Sequence, residues 1–161
     1  MKSSYKVLFA ALIAAGVVGC GKEEAKPAAP AAPAAPAEPT VTVKIAHAGP
    51  LTVKTPHLGK DDENGVALAI AEANAMKIKA DGKLVKFEMQ SEDDQGDPKV
   101  GTTVAQKLMD AKVIAVIGHL NSGVTIPASE IYSKNGIPMV SGSATNPAVT
   151  ERGLKGVFRT V

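Results

Sequence analysis

The chain has no tryptophan and few other aromatic residues, with three Phe and two Tyr among 161 residues. A core of this composition must be aliphatic, which suits parallel strands covered by helices. A single cysteine excludes an internal disulfide. The net charge of +2 includes Lys2 and Lys6, and the remaining charges sum to zero. The sequence therefore argues against the basic surface that a nucleic-acid partner requires.

The longest apolar run covers residues 7–18 and follows the two N-terminal lysines. A membrane-spanning helix needs about 20 apolar residues, so this shorter run is typical of a secretory signal peptide, predicted here over residues 1–19. The sequence Val17-Val18-Gly19-Cys20 resembles a lipobox. It predicts acylation of the Cys20 thiol and anchoring to a membrane. The alternative is an ordinary signal followed by an incidental cysteine.

Residues 20–39 form an Ala/Pro-rich segment in which the prolines from Pro27 to Pro39 recur at every third position. This spacing matches the polyproline II turn, and the segment has no residues from which to build a core. We expect it to be a semi-rigid tether. The globular domain is therefore predicted over residues 40–161.

Strands and helices are predicted to alternate through the globular part. Apolar patterns of strand length occur at residues 41–45, 85–90, 113–117, 137–141 and 157–160. Helical patterns cover residues 60–75, 98–108 and 122–134. The alternation predicts an α/β fold, an open parallel sheet with helices on both faces.

Finer expectations concern the ends and the burial of these elements. The acidic residues 61–63 are placed in the first turn of the first helix, and Asp97 with Pro98 is predicted to start the second. Residues 113–117 are fully apolar, which predicts a central strand buried on both faces. Asn146 and Pro147 predict a further short helix.

Ligands of open parallel sheets bind beyond the carboxyl ends of the strands. This rule selects residues 49–59, 119–123 and 141–146. At Ser122 and Gly123, free amides at a helix start beside a hydroxyl predict a carboxylate site, although Asn121 or Ser122 could simply cap the helix. Hydroxyl and backbone groups of residues 141–146 could bind both charges of an amino acid, or form a simple turn.

Other chemistries find little support. The acidic group of residues 92–97 misses the spacing of a calcium loop, and we expect it to be a solvated loop with a helix cap. The histidines His47, His57 and His119 are far apart in sequence, so no metal site is predicted. No nucleophile motif of the hydrolases occurs, and neither cofactor nor catalysis is expected.

Longer motifs carry a resemblance to a known family. They include residues 48–51, 58–65, 93–99, 116–122, 126–132 and 143–153. Together they resemble the branched-chain amino-acid-binding proteins of ABC uptake systems, which are type I periplasmic binding proteins. The resemblance covers residues 41–161 and implies a Rossmann-like first lobe of a two-lobed protein.

The resemblance implies roles for individual residues. Ser122 would donate its hydroxyl to the ligand's carboxylate, Thr145 would contact carboxylate and ammonium, and Ser143 would offer its carbonyl to the ammonium. Leu58 would touch the ligand side chain. Gly123 and Ala144 complete the expected ligand-binding set.

The resemblance also implies partners and a location. The protein would capture leucine, isoleucine or valine outside the cytoplasm and deliver it to a membrane permease. Family members are more than twice as long, so the chain is expected to end before the second lobe. Two alternatives remain: a sensor of amides, urea or another small solute built on the same fold, and an exported hydrolase using His119 or Ser122.

Overall fold

The computed structural model describes residues 38–161. The predicted signal peptide, the acylated Cys20 and nearly all of the tether lie outside the described residues. The strands are β1 (Thr40–Gly49), β2 (Lys79–Ala80), β3 (Lys83–Asp93), β4 (Ala115–Gly118), β5 (Met139–Ser141) and β6 (Val157–Arg159). The helices are α1 (Pro56–Ala75), α2 (Pro98–Asp110) and α3 (Ser122–Lys134), with a short 3-10 helix at Pro147–Val149.

The six strands form one sheet in the order β2-β3-β1-β4-β5-β6. All neighbouring pairs are parallel except β2 and β3, which form an antiparallel hairpin at the edge. The predicted open parallel α/β sheet is confirmed. The hairpin was not predicted, because β2 has only two residues and therefore almost no pattern to recognise.

Helices cover both faces of the sheet. On one face α2 and α3 enclose the core, an aliphatic cluster that includes Ala46, Val116, Leu108 and Met139. Side chains of successive strand residues point to opposite faces, so Ile45 and Ile117 face α1 on the other side. None of the helices within residues 38–161 combines the length and apolar character needed to cross a membrane.

The α1 face is less completely covered than the sequence suggested. Within the run predicted to be buried on both faces, Val113 and Val116 are buried, but Ile114 is 48% exposed and Ile117 is half-buried. That expectation is wrong for Ile114, which precedes β4 and lies near the C-terminal end of α2, and for Ile117, which faces α1, the single helix on that side among the described residues. An apolar groove therefore remains between α1 and the sheet.

Two helix starts test the capping predictions. Helix α1 begins at Pro56, which places residues 61–63 in its second turn instead of the first. Proline suits the first position because its fixed φ is helical and no amide is needed there. The start of α2 is as predicted: the Asp97 carboxylate accepts from the amides of Lys99 and Val100 at 2.8 and 3.1 Å.

Candidate functional site

Loops that follow β1, β4 and β5 meet at one edge of the sheet, because the three strands are parallel. The amide of Asn146 donates to Ser122 Oγ at 3.1 Å. Ser143 Oγ in turn donates to the carbonyl of Leu120 at 2.9 Å. Two direct hydrogen bonds thus join the loop before α3 to the loop after β5.

Ser122 is the first residue of α3, and several of its polar groups remain available. Asn121 occupies the N-cap position without a side-chain hydrogen bond to the helix. Among residues 38–161, the amides of Ser122 and Gly123 have no acceptor. Because Ser122 Oγ accepts from Asn146, its own proton is free to be donated outward. Such a set of donors at a helix start fits a carboxylate.

The loop after β5 presents a mixture of exposed and buried groups. Thr145 is exposed, and its carbonyl accepts from Arg159 Nη1 at 2.6 Å. Ser143 is half-buried beside the groove. Ala144 is completely buried, and its amide donates to Ser141 Oγ at 3.0 Å. Ala144 therefore supports the loop from below, and its role as a ligand contact stays a prediction.

The loop after β1 brings Leu58 to the same edge. Asp93 holds this loop, since its carboxylate accepts from the Leu51 amide at 2.8 Å and from the Thr52 hydroxyl. These bonds lower the pKa of Asp93 against the opposing effect of its partial burial. Leu58 is 45% exposed and lines the groove, so its apolar side chain is available to a ligand.

The groove has a volume of about 890 Å³, within the range of small-molecule sites. Its polar end is formed by Asn121 and Ser143 together with Asp61 and Asp62. Its apolar walls come from α1 and from the sheet, and include Leu58, Val66, Ile70, Ile45, Phe87 and Ile117. Leu58 and Ser143 are the members of the expected ligand-binding set that line this groove, whereas Ser122, Gly123 and Thr145 do not.

Beneath these loops lies a fully buried polar chain. His119 Nδ1 is 2.6 Å from Asp94 Oδ2, and His119 Nε2 is 3.0 Å from the Tyr132 hydroxyl. All three side chains are inaccessible to solvent. Burial, with a smaller contribution from Asp94, raises the pKa of Tyr132, so its hydroxyl is neutral and can donate. The expectation of a solvated acidic loop is therefore wrong for Asp94.

The same contacts bear on the hydrolase alternative. Both ring nitrogens of His119 are engaged inside the protein, by Asp94 and Tyr132, and Ser122 Oγ is bonded to Asn146. A serine nucleophile needs a base within hydrogen-bond reach. His119 and Ser122 do not form such a pair. Within residues 38–161, no group of three or more His, Cys, Asp or Glu side chains is placed to hold a metal ion.

Sequence analysis selected residues 141–146 but gave no separate role to Ser141 or to the Asn146 amide, and it did not expect Asp94 to be buried. Ser141 supports the loop after β5, Asn146 supplies the amide that bonds Ser122, and Asp94 anchors His119. A histidine directly after a buried strand, flanked by Gly118 and Leu120, is a signal that could have suggested a buried partner. No sequence spacing identifies Asp94 as that partner, because 25 residues separate the two.

His47, on β1, gives the protein a predicted acid sensitivity. Burial lowers its pKa, and Asp62, Glu63 and Asp94 oppose this effect only partly. Below the unfolded-state pKa of about 6.5, the unfolded chain binds more protons at this residue than the native protein. The free energy of unfolding should therefore fall from pH 7.5 to pH 5, with a slope from this group of at most about 1.4 kcal/mol per pH unit.

Urea unfolding across this range measures the effect. His47→Gln should flatten the pH dependence, whereas His57→Gln, which removes an exposed imidazole, is the matched control. Equal slopes for His47→Gln and the unmodified protein would contradict the assignment.

Comparisons with known proteins agree on one family. The sequence profile of the periplasmic binding proteins matches residues 42–161. The Leu/Ile/Val-binding protein homolog 2 of Brucella abortus (strain 2308) is 42% identical over 118 residues, which cover 73% of this chain and 31% of that protein. The chain therefore spans less than a third of that relative's length.

Solved structures give the same picture. The branched-chain amino acid transporter substrate-binding protein of Streptococcus pneumoniae, in complex with isoleucine, superposes with a TM-score of 0.66 at 29% identity, covering 74% of this chain and 33% of its own. An ABC transporter substrate-binding protein of Desulfitobacterium hafniense, in complex with Leu, gives 0.62 at 34% identity, covering 74% and 34%.

Proposed function

The chain belongs to the periplasmic binding protein family, and from this premise we propose that it forms the first lobe of an ABC transporter's substrate-binding component, which captures branched-chain amino acids. The bond between Ser122 Oγ and the Asn146 amide carries the proposal. It brings the two polar loops together, while the Ser122 proton and the amides of Ser122 and Gly123 have no acceptor among residues 38–161. A free carboxylate is the group that these donors fit.

The apolar groove supports an aliphatic ligand side chain. Leu58, Ser143 and Asn121, the residue before Ser122, line it, so an amino acid bound at Ser122 would have apolar surface nearby. A buried aliphatic side chain contributes roughly 1.5–3 kcal/mol relative to an exposed one. The isoleucine and leucine in the two solved relatives are ligands of this kind.

The remaining parts of the proposal concern the whole protein. We propose that a second lobe completes the site and that a membrane permease receives the amino acid. We further propose a signal peptide over residues 1–19 and a lipid anchor on Cys20, which would hold the protein in the periplasm or outside the cytoplasmic membrane. Both features rest on the sequence pattern alone.

Calorimetric titration of the full-length protein with leucine, isoleucine and valine tests the proposal. Because a hydrogen bond to a charged group contributes about 1.5–3 kcal/mol, Ser122→Ala should weaken binding roughly 10- to 100-fold. Thr145→Ala should weaken it also. Ser133→Ala removes a half-buried serine from the far end of the same helix and should leave affinity unchanged.

Two outcomes would count against the proposal. Unchanged affinity in both Ser122→Ala and Thr145→Ala would refute the assigned contacts. Binding of amides or urea, with no heat from the three amino acids, would instead support a sensor of another solute.

A further inference from the structure

We infer that a buried relay of Tyr132, His119, Asp94 and Ser141 sets the spacing of the two ligand-binding loops, although none of these side chains reaches the groove. The inference rests on the proposed function and adds positioning residues to it. All four residues are fully buried. Their hydrogen bonds therefore cannot be replaced by bulk water when one partner is removed.

Ser141 adds a buried connection between the two loops, beneath the two hydrogen bonds described above. Its hydroxyl donates to the carbonyl of His119 at 2.7 Å. The same oxygen accepts from the amide of Ala144 at 3.0 Å and lies 3.5 Å from that of Ser143. One hydroxyl thus ties the start of the β4–α3 loop to the backbone that precedes Thr145.

His119 is itself held from three sides. Tyr132 and Asp94 fix the two ring nitrogens, and the Thr125 hydroxyl is shared between the carbonyls of His119 at 3.1 Å and Asn121 at 3.0 Å. The neutral Tyr132 hydroxyl can donate, so Nε2 accepts from it and the ring proton on Nδ1 is donated to Asp94. The carbonyl that Ser141 binds therefore has little freedom to move.

Asp94 extends the relay to the remaining loop. Its Oδ1 accepts from the Gly96 amide at 2.7 Å, and its own amide donates to the Gly49 carbonyl at the end of β1 at 3.0 Å. The relay consequently connects the ends of β1, β3, β4 and β5. Small displacements at any of these points would shift Ser122 relative to Asn146 and Thr145.

Two variants test the inference in the full-length protein. Ser141→Ala removes the junction, and Tyr132→Phe removes only a hydroxyl while keeping the ring. Ser129→Ala is the matched control, because Ser129 is equally buried on α3 but bonds to Ile126 and Arg152, outside the relay. A neutral hydrogen bond has a net value near 1 kcal/mol, so Ser141→Ala should weaken leucine binding roughly five- to tenfold.

Tyr132→Phe should weaken binding by a smaller factor, about two- to fivefold. Both variants should also speed amide hydrogen exchange in residues 141–146 of the ligand-free protein, as measured by mass spectrometry. For Tyr132→Phe this site lies beyond its own contacts, so general destabilisation of α3 would not produce the effect selectively. Ser129→Ala should change neither affinity nor exchange in this segment.

Affinity and exchange equal to those of the Ser129→Ala control, in both variants, would overturn the inference. The exchange measurement needs no ligand. If the unmodified protein bound no amino acid, the proposed function would fail, while altered exchange at residues 141–146 would still support the relay.

Discussion

Replacing Asp94 by alanine should lower the free energy of unfolding by about 2–4 kcal/mol, because each buried donor left without an acceptor costs about 1–3 kcal/mol. The carboxylate is completely buried, and its removal leaves His119 Nδ1 without an acceptor in a region closed to solvent. The amide of Gly96 loses its acceptor as well. One fully buried donor and one on a half-buried residue therefore lose their acceptor through one substitution.

A double-mutant cycle isolates the contribution of the pair. Asp94→Ala, His119→Leu and the double variant are compared by urea unfolding. Since each single variant already breaks the pair, the double variant should be destabilised by clearly less than the sum of the two. Asp110→Ala removes an exposed carboxylate from α2 and should change stability by no more than about 0.5 kcal/mol. Strict additivity of the two single effects would contradict coupling between Asp94 and His119.

The general position of the site could be predicted from local patterns. Alternating strands and helices imply a parallel sheet, and parallel strands that follow one another in the sheet end at the same edge. This is why Ser122 and the loop containing Thr145 were expected to meet. The 3.1 Å hydrogen bond from the Asn146 amide to Ser122 Oγ shows that the two loops are in direct contact.

Burial of polar residues could not be predicted in the same way. Asp93 and Asp94 are adjacent in a segment that looks uniformly solvated, yet Asp93 holds a surface loop and Asp94 is inaccessible. The difference arises from His119, a partner 25 residues away that follows β4, which no local pattern reveals. The partial exposure of Ile117 has a similar origin, because apolar character alone does not show how many helices cover a strand.

The start of α1 shows a further limit. The acidic residues 61–63 were assigned to a first turn because a helix N-terminus favours negative charge. The helix in fact begins at Pro56, five residues before Asp61. Acidic residues near a helix N-terminus stabilise the helix only slightly. Proline, whose φ is already helical, is the stronger signal for the first helical position, so the charge pattern was a weak guide to the boundary.

Gly118, the last residue of β4, is the position where a single methyl group should have the largest effect on the site. Its φ of +125° is rarely adopted by residues with a side chain. A Cβ atom there would lie 2.0 Å from the carbonyl oxygen of Ala48 on the neighbouring strand. Backbone strain and overpacking each cost roughly 1–3 kcal/mol, so Gly118→Ala should destabilise the protein by about 3–5 kcal/mol.

The obstructing atom belongs to the backbone of β1, so no side-chain rotation can relieve the contact. Relief requires β4 to move away from β1, which displaces His119 and with it the loop that carries Ser122. Gly118→Ala should therefore lose leucine binding even at temperatures where it remains folded, as circular dichroism and calorimetry on one sample can establish. Gly65→Ala, in open space within α1, should instead stabilise the protein by about 0.5–1 kcal/mol. Wild-type stability and affinity in Gly118→Ala would show that β1 and β4 separate freely, and the loop before α3 would then not be held as these contacts require.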